Sequence, residues 1–305
     1  MPGHPFVQVD VFTREPLAGN ALAVFPDATG LDAKSMQALA REMNLSETTF
    51  VTPSTAATRR VRFFTPIAEI PLAGHPTIGT WWALAELGAL ELKPDGVTRV
   101  TQETGAGVLP VDIHSKNGNV TRVVMTQAEP QFGDPVSPGA RLAKALGGGA
   151  GLLLKQPVPQ VVSTALPQLM VPIKSLAKLK ALPSGGAGMG LATLLRELGT
   201  DCAMCYTLET ERPEATVHCR MFAPGLGVPE DPATGSAAGA LGCYLVWHAQ
   251  VRPHDGVARI TVEQGIEINR PSMIHVEIAV GNGGEITAVR VGGEAVTVIT
   301  GEVRL

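Results

Sequence analysis

The sequence predicts an α+β fold of two pseudo-symmetric domains, each a mostly antiparallel sheet wrapped round a central helix. The first ground is an internal repeat. VRFFTP precedes GHPTIGTWWALAEL and then TRVTQETGAGVLPVDI, while HCRMFAP precedes DPATGSAAGALGCYLV and then ARITVEQGIEINRPSMIHVEI. Arg62 to Gly74 spans twelve positions and Arg220 to Asp231 spans eleven, which matches Gly74 with Asp231 as the two helix heads. The second ground is Ser236–Val246, small and apolar round its whole circumference, as a helix buried on every side would be. The third is the number of short alternating, β-type segments on both sides of each helical segment. The period is far longer than that of an array repeat, so this is one duplicated domain and not a solenoid.

Along the chain, FVQVDVF, the turn-rich TREPLAGN and ALAVFP read as a β-hairpin. Asp32 or Asp27 opens a helix in LDAKSMQALAREMNL, where Met36, Leu39, Ala40 and Met43 recur at helical spacing. TTFVTP and RRVRFFTP are strands. GHPTIGTWWALAELGAL is helical, with Pro76 near its start, where a missing N–H is tolerated. VTRVTQET, VLPVDIH and TRVVMTQ follow as strands. EPQFGDPVSPGARLAKALGGG is expected to be an inter-domain passage, giving an N-terminal half 1–126 and a C-terminal half 127–295, with the final strand near 296–305 returning to the first half. In the second half VPQVVSTALPQLMVPI reads as a strand pair, SLAKLKAL and ATLLRELG as helices, and CAMCYTLET with ATVHCRMFAP as paired strands. DPATGSAAGALGCYLVWHAQ is a long helix, and ARITVEQG, MIHVEIAV and ITAVRVGGEAVTVITGEVRL finish as strands.

A chain of 305 residues, 45% hydrophobic and 17% charged, can bury a substantial core. Its net charge of -4 and pI near 6.0 offer no footprint for nucleic acid. No apolar run is long enough to span a bilayer, and MPGHPFVQVDVF lacks a basic region followed by an apolar run, so a cytoplasmic location is expected. Four cysteines make no disulfide framework. Cys202 and Cys205 form a C-x-x-C that continues as a strand and reads as ordinary core cysteines. Seven scattered histidines without H-x-x-x-H predict no metal site. Gly147–Gly151 and Gly185–Gly190 lack a strand–G-x-G-x-x-G–helix setting and read as loops.

Two helix heads, Gly74-His75-Pro76 and Asp231-Pro232-Ala233-Thr234-Gly235-Ser236, are where chemistry is expected. A helix N-terminus offers unpaired N–H donors and the positive end of a dipole, suited to a carboxylate. The alternative for Asp231, Thr234 and Ser236 is helix capping, a common task for these residue types. If the halves face one another, both heads converge on one cleft. Glu47, in NLSETTFV, stands between a helix end and an apolar strand, and its own context says little.

NLSETTFV, RFFTPIAEIPLAGHPTIGT, QETGAGVLPV, STALPQLMVPIKS and DPATGSAAGALGCYL together resemble the phenazine-biosynthesis PhzF-like family, which shares the diaminopimelate epimerase fold. The blocks run in order from VDVFTREPLAGNALAVF to QGIEINRP. The resemblance implies that Glu47 is the general acid–base, that His75 and Asp231 line the site and help place protons, and that Gly74, Gly235 and Ser236 hold an anion. The epimerase relatives carry a cysteine at each helix head. Here Gly74 and Asp231 stand there, which disfavours the two-thiol route. Ala21, Ala165 and Asn269 depart from the family pattern of proline, glycine and glycine, in loops expected to border the site.

The resulting expectation is an isomerase, needing no cofactor or metal, that tautomerises a small carboxylated substrate in the inter-domain cleft. Glu47 removes a proton beside an activating group and returns it elsewhere, in an apolar setting supplied by Phe50 and Val51. The rivals are an epimerase or racemase using Glu47 and Asp231 as two bases, and a non-catalytic small-molecule binder. No nucleic-acid or membrane partner is expected, and the family implies a homodimer.

Overall fold

The computed structural model describes residues 3–137 and 139–305. Pro138, inside the expected inter-domain passage, and Met1 and Pro2, at the start of the N-terminal segment weighed for a signal, lie outside the described residues. The chain divides into two compact units, Met1–Thr126 with Gly292–Leu305, and Gln127–Val291.

In the first unit the elements are β1 (Gly3–Val11), β2 (Asn20–Phe25), α1 (Ala33–Met43), β3 (Glu47–Thr52), β4 (Arg59–Phe64), β5 (Glu69–Ile70), α2 (Gly74–Glu86), β6 (Gly96–Thr104), β7 (Gly107–Lys116) and β8 (Asn119–Gln127). The second unit holds β9 (Gln131–Pro135), α3 (Ala140–Ala145), β10 (Gln160–Ser163), β11 (Pro167–Pro172), α4 (Leu176–Lys180), α5 (Met189–Glu197), β12 (Ala203–Thr207), β13 (Val217–Ala223), β14 (Val228–Asp231), α6 (Gly235–Trp247), β15 (Val257–Gln264) and β16 (Ser272–Val280). β17 (Ile286–Gly293) carries the chain back, and β18 (Ala295–Arg304) belongs to the first unit. Among the described residues, no helix is long and apolar enough to cross a membrane.

The first unit's sheet runs β18-β1-β2-β3-β4-β6-β7-β8, antiparallel except at β2–β3 and β4–β6. Alternation along β3 gives each face its own helix. On one face Phe50 stacks on Phe25 at 4.8 Å and meets Phe64 edge-on at 5.3 Å, in a cluster completed by Met36, Leu39 and Ala40 of α1. On the other face lies α2, packed against β1, β2, β3, β7 and β18. α2 is buried nearly throughout from His75 to Leu84, and a glycine lets it approach this closely. A Cβ on Gly79 would fall 2.6 Å from Val11 Cγ2 and 2.7 Å from Leu22 Cδ2. α1 begins at Asp32, whose carboxylate accepts from the Ser35 N–H, so Asp32 and not Asp27 is the cap.

The second unit repeats the pairing. β10–β11, β12–β13, β13–β14 and β15–β16 are antiparallel and β11–β12 and β13–β15 parallel, as β1–β2, β3–β4, β4–β5, β6–β7, β2–β3 and β4–β6 are in the first. α6 takes the place of α2, packing on β10, β11, β15 and β16. Side chains repeat too. Arg62 forms a forked pair with Glu69, with both N–O distances 2.7 Å, and lies 5.2 Å over Phe64. Arg220 does the same with Glu230 at 2.8 and 2.6 Å and lies 5.1 Å over Phe222.

Two expectations are corrected here. The segment expected to be a passage contains β9 and α3, because Leu142, Ala143 and Ala145 supply an apolar face for the second unit's core. The long helix starts at Gly235, not Asp231, since Val228–Asp231 pairs with β13 as a strand. With Glu69 matched to Glu230, Gly74 corresponds to Gly235, His75 to Ser236 and Ile70 to Asp231. Gly74 and Asp231 are therefore not equivalent. The one-residue agreement in spacing from the arginines is a coincidence of unequal loops.

Candidate active site

Glu47 is the first residue of β3 and shares its α2-facing side with Thr49. Thr49 Oγ1 lies 2.7 Å from Thr80 Oγ1 of α2, and Glu47 Oε2 lies 3.5 Å from Nε2 of His75, in the first turn of the same helix. Strand and helix thus run side by side and present the two residues to each other. Glu47 Oε2 is buried and accepts no hydrogen bond. Burial raises the Glu47 carboxyl above its ordinary value, and the neighbouring Ser46 hydroxyl only partly offsets this. The same hydroxyl oxygen lies 3.4 Å from Asn20 Oδ1, a second acceptor for its one proton. The expected apolar setting from Phe50 is corrected. Three residues along a strand reverse the face, and Phe50 packs into the α1 cluster.

Gly74 opens α2, and Ala73 before it has no side chain able to cap. The same is true in effect at α6. Thr234 is the N-cap residue, yet its side chain makes no capping hydrogen bond: its hydroxyl donates to the Asp231 carboxylate and its oxygen accepts from the Gln264 amide. The Thr234 side chain therefore does not cap α6. Gly235 and Ser236 form the first turn of α6. The Gly235 carbonyl accepts from Gln127 at 3.0 Å, and Ser236 Oγ accepts from Gln168 at 3.0 Å, which leaves the Ser236 hydroxyl proton for another acceptor. Glu47, His75 and Gly74 thus belong to the first unit, and Asp231, Gly235 and Ser236 to the second.

Carrying the Arg62–Arg220 equivalence along the ladders shows what the other half holds in place of Glu47. Phe50 pairs with Arg62 and Cys205 with Arg220, so three residues earlier Cys202 answers to Glu47. Cys202 and Cys205 are both buried, and burial pushes both thiols up to about 12. Neither is a usable base, and the C-x-x-C is core.

Histidine spacing gave no sign of one cluster. His218, fully buried, sets Nδ1 2.7 Å from Glu263 and Nε2 2.9 Å from Glu267, with ligand atoms of Glu211, His218 and Glu267 all within 4.8 Å. Burial would lower the His218 pKa, but the hydrogen bonds and charges of Glu267 and Glu263 outweigh it and raise it. Glu211 is paired with Lys180. His218, its two carboxylates and the Glu211–Lys180 pair form an ion-pair network that links β13 to the end of β15. The sequence reading also passed over Gln264, whose amide touches Asp231 and Thr234. Its only signal was a place in the QGIEINRP block.

A carboxyl with a raised pKa beside an imidazole, in an α+β scaffold built twice over, is an arrangement capable of proton transfer. The comparisons with known proteins bear on the family. A sequence model of the family described as phenazine biosynthesis-like protein matches residues 9–301. The chain belongs to that family, and with it to a group of isomerases with the diaminopimelate epimerase-like fold. A Pseudomonas aeruginosa protein named trans-2,3-dihydro-3-hydroxyanthranilate isomerase is 37% identical over 99% of this chain and 100% of its own. An uncharacterized isomerase of Clostridium acetobutylicum is 36% identical over 98% and 97%. A crystal structure of a PhzF-family protein from Bacillus anthracis superposes with a TM-score of 0.91 at 32% identity, covering 100% of both chains.

Proposed function

We propose that this chain is a cofactor-independent isomerase that moves a proton within a small, unsaturated carboxylated substrate, with Glu47 as the general acid–base. His75 and Asp231 support it by stabilising charge and placing protons. Gly74, Gly235 and Ser236 supply donors for the substrate carboxylate. The observation that carries this reading is the Glu47–His75 contact: a buried carboxylate oxygen that accepts no hydrogen bond, 3.5 Å from an imidazole nitrogen.

The ionised carboxylate takes a proton from carbon beside an activating group. The electrons of the broken C–H bond shift the double bond, and the carboxyl, after exchanging its proton with solvent, protonates the far carbon. Because the same group gives and takes, it must be both a competent base and a competent acid, which a carboxyl raised by burial is. The name of the Pseudomonas aeruginosa relative describes an unsaturated ring carboxylate, and that compound is a first test substrate.

The experiment is a panel of unsaturated and hydroxylated carboxylic acids, including trans-2,3-dihydro-3-hydroxyanthranilate, incubated with the protein in heavy water. Deuterium uptake with a shifted double bond is expected from wild type, and none from Glu47→Gln, which stays folded and still binds. Full-rate uptake by Glu47→Gln sinks the mechanism. A scrambled stereocentre with no shifted double bond replaces tautomerisation with epimerisation.

A further inference from the structure

The two units are a natural control for one another. The arginine forks repeat, and so do the close backbone contacts. A Cβ on Gly105 would meet Pro71 Cα at 2.9 Å, and one on Gly265 would meet Pro232 Cα at 3.1 Å and Pro232 O at 2.5 Å. Arg60 pairs with Glu103 across β4 and β6, and His218 pairs with Glu263 across β13 and β15, in the same register. Within this repeated frame, three neighbouring positions differ together. Ile70, Ala73 and Thr104 in the first unit correspond to Asp231, Thr234 and Gln264 in the second.

Those three side chains form a directed chain of hydrogen bonds. Gln264 is fully buried at the end of β15. Its Nε2 donates to the Asp231 carbonyl at 2.7 Å and to Thr234 Oγ1 at 3.1 Å, and its Oε1 accepts from the Thr234 N–H at 3.3 Å. Turning the amide over would put Oε1 against the Asp231 carbonyl, acceptor against acceptor, so the orientation is fixed. The Thr234 oxygen already accepts from Gln264, and its single proton goes to Asp231 Oδ2. Asp231 is thus addressed as an acceptor, which favours its carboxylate form. The alternation of the strands keeps this chain apart from the ion-pair network, since Glu263 and Glu230 point to His218 and Arg220.

We propose that Gln264 is a positioning residue for Asp231, acting through the Thr234 hydroxyl. This rests on the reading above in which Asp231 takes part in turnover. It predicts that the amide's donor, and not its bulk, is what matters. Gln264→Leu and Thr234→Val each lower kcat on the deuterium-exchanging substrate about 10- to 100-fold, the worth of a hydrogen bond to a charged group. KM changes less, and the double variant is no worse than either alone. Thr234→Ser, which keeps the hydroxyl, retains wild-type rates.

Carbon-13 NMR titration of Asp231 gives a readout that needs no substrate. Its pKa rises in Gln264→Leu and Thr234→Val and stays put in Thr234→Ser. Wild-type kcat together with an unmoved Asp231 titration in Thr234→Val overturns the proposal, whether or not Gln264→Leu folds. Glu47→Gln is run alongside. If it is inactive while Gln264 and Thr234 variants are normal, only the positioning role fails, and if it is fully active, the functional reading fails first.

Discussion

The hydroxyls of Thr49 and Thr80 meet at 2.7 Å between β3 and α2, two residues along the strand from Glu47 and five along the helix from His75. Both threonines are fully buried. A strand advances about 6.8 Å in two residues and a helix about 7.5 Å in five, so this bond and the Glu47–His75 contact form two rungs between the same two elements.

Removing one hydroxyl leaves the other buried without its partner. Thr49→Val and Thr80→Val are each expected to destabilise the protein by about 1–3 kcal/mol, and the double variant by less than the sum. Urea denaturation of the four proteins checks this. Strictly additive losses would mean the two hydroxyls are not coupled.

Close packing of α2 makes a second prediction. Gly79→Ala puts a methyl 2.6 Å from Val11 Cγ2 and 2.7 Å from Leu22 Cδ2, and overpacking of this kind costs about 1–3 kcal/mol. Gly149 faces open space, so Gly149→Ala serves as a control expected within about 0.5 kcal/mol of wild type. Thermal melting that ranks the two the other way would refute the account.

Much of the fold was legible in the sequence because hydrophobic period and turn chemistry act locally. The hairpin of β1 and β2 and the all-round apolar α6 each follow from a few adjacent residues, whereas Asp27 and Asp32 both stay open as the α1 cap until the Ser35 N–H is placed. The correspondence between halves was harder. It is carried by Arg62–Glu69 and Arg220–Glu230, pairs seven and ten residues apart, and unequal loops hid it. In the sequence short β14 stays unassigned, and its last residue, Asp231, is taken as the helix start because Asp-Pro looks like a cap. Glu47 was singled out through its motif alone, and its nearness to His75 needed the packing of α2 on β3. Gln264 and the His218 network rest on contacts across 30 to 50 residues with no local pattern. Among the departures from the family pattern, Asn269 has a physical reason. It adopts φ 58, a left-handed conformation that asparagine tolerates almost as glycine does.

The His218 network gives the second unit a pH-dependent stability. The folded pKa of His218 is raised above 6.5, so its contribution is complete below that pH and is lost as pH climbs through the raised value. Burial opposes ionisation of Glu267, but His218 and Arg220 outweigh it and hold the carboxyl below 4.5. Its contribution is complete above 4.5 and lost as pH falls through the lowered value. Thermal stability is therefore expected to be greatest between these limits, with a decline on the alkaline side that His218→Gln removes. An alkaline decline unchanged in that variant would assign it to other groups.

Glu47 should betray itself in two independent pH profiles. The base must be ionised to accept a proton, and burial raises its pKa above 4.5, so the acidic limb of kcat/KM is expected above the usual glutamate range. The same shift costs stability. A carboxyl that holds its proton more tightly folded than unfolded favours the fold at low pH, and that advantage drains away as pH rises from 4.5 through the raised value. Glu47→Gln carries no such charge, so its melting temperature should match wild type in acid and exceed it progressively across this window, then run parallel above it. Because the pH at which the gap stops growing and the acidic limb of kcat/KM both report the ionisation of the folded free protein, they should fall at the same pH. Two well-separated values would mean that the buried carboxyl is not the group whose ionisation controls turnover.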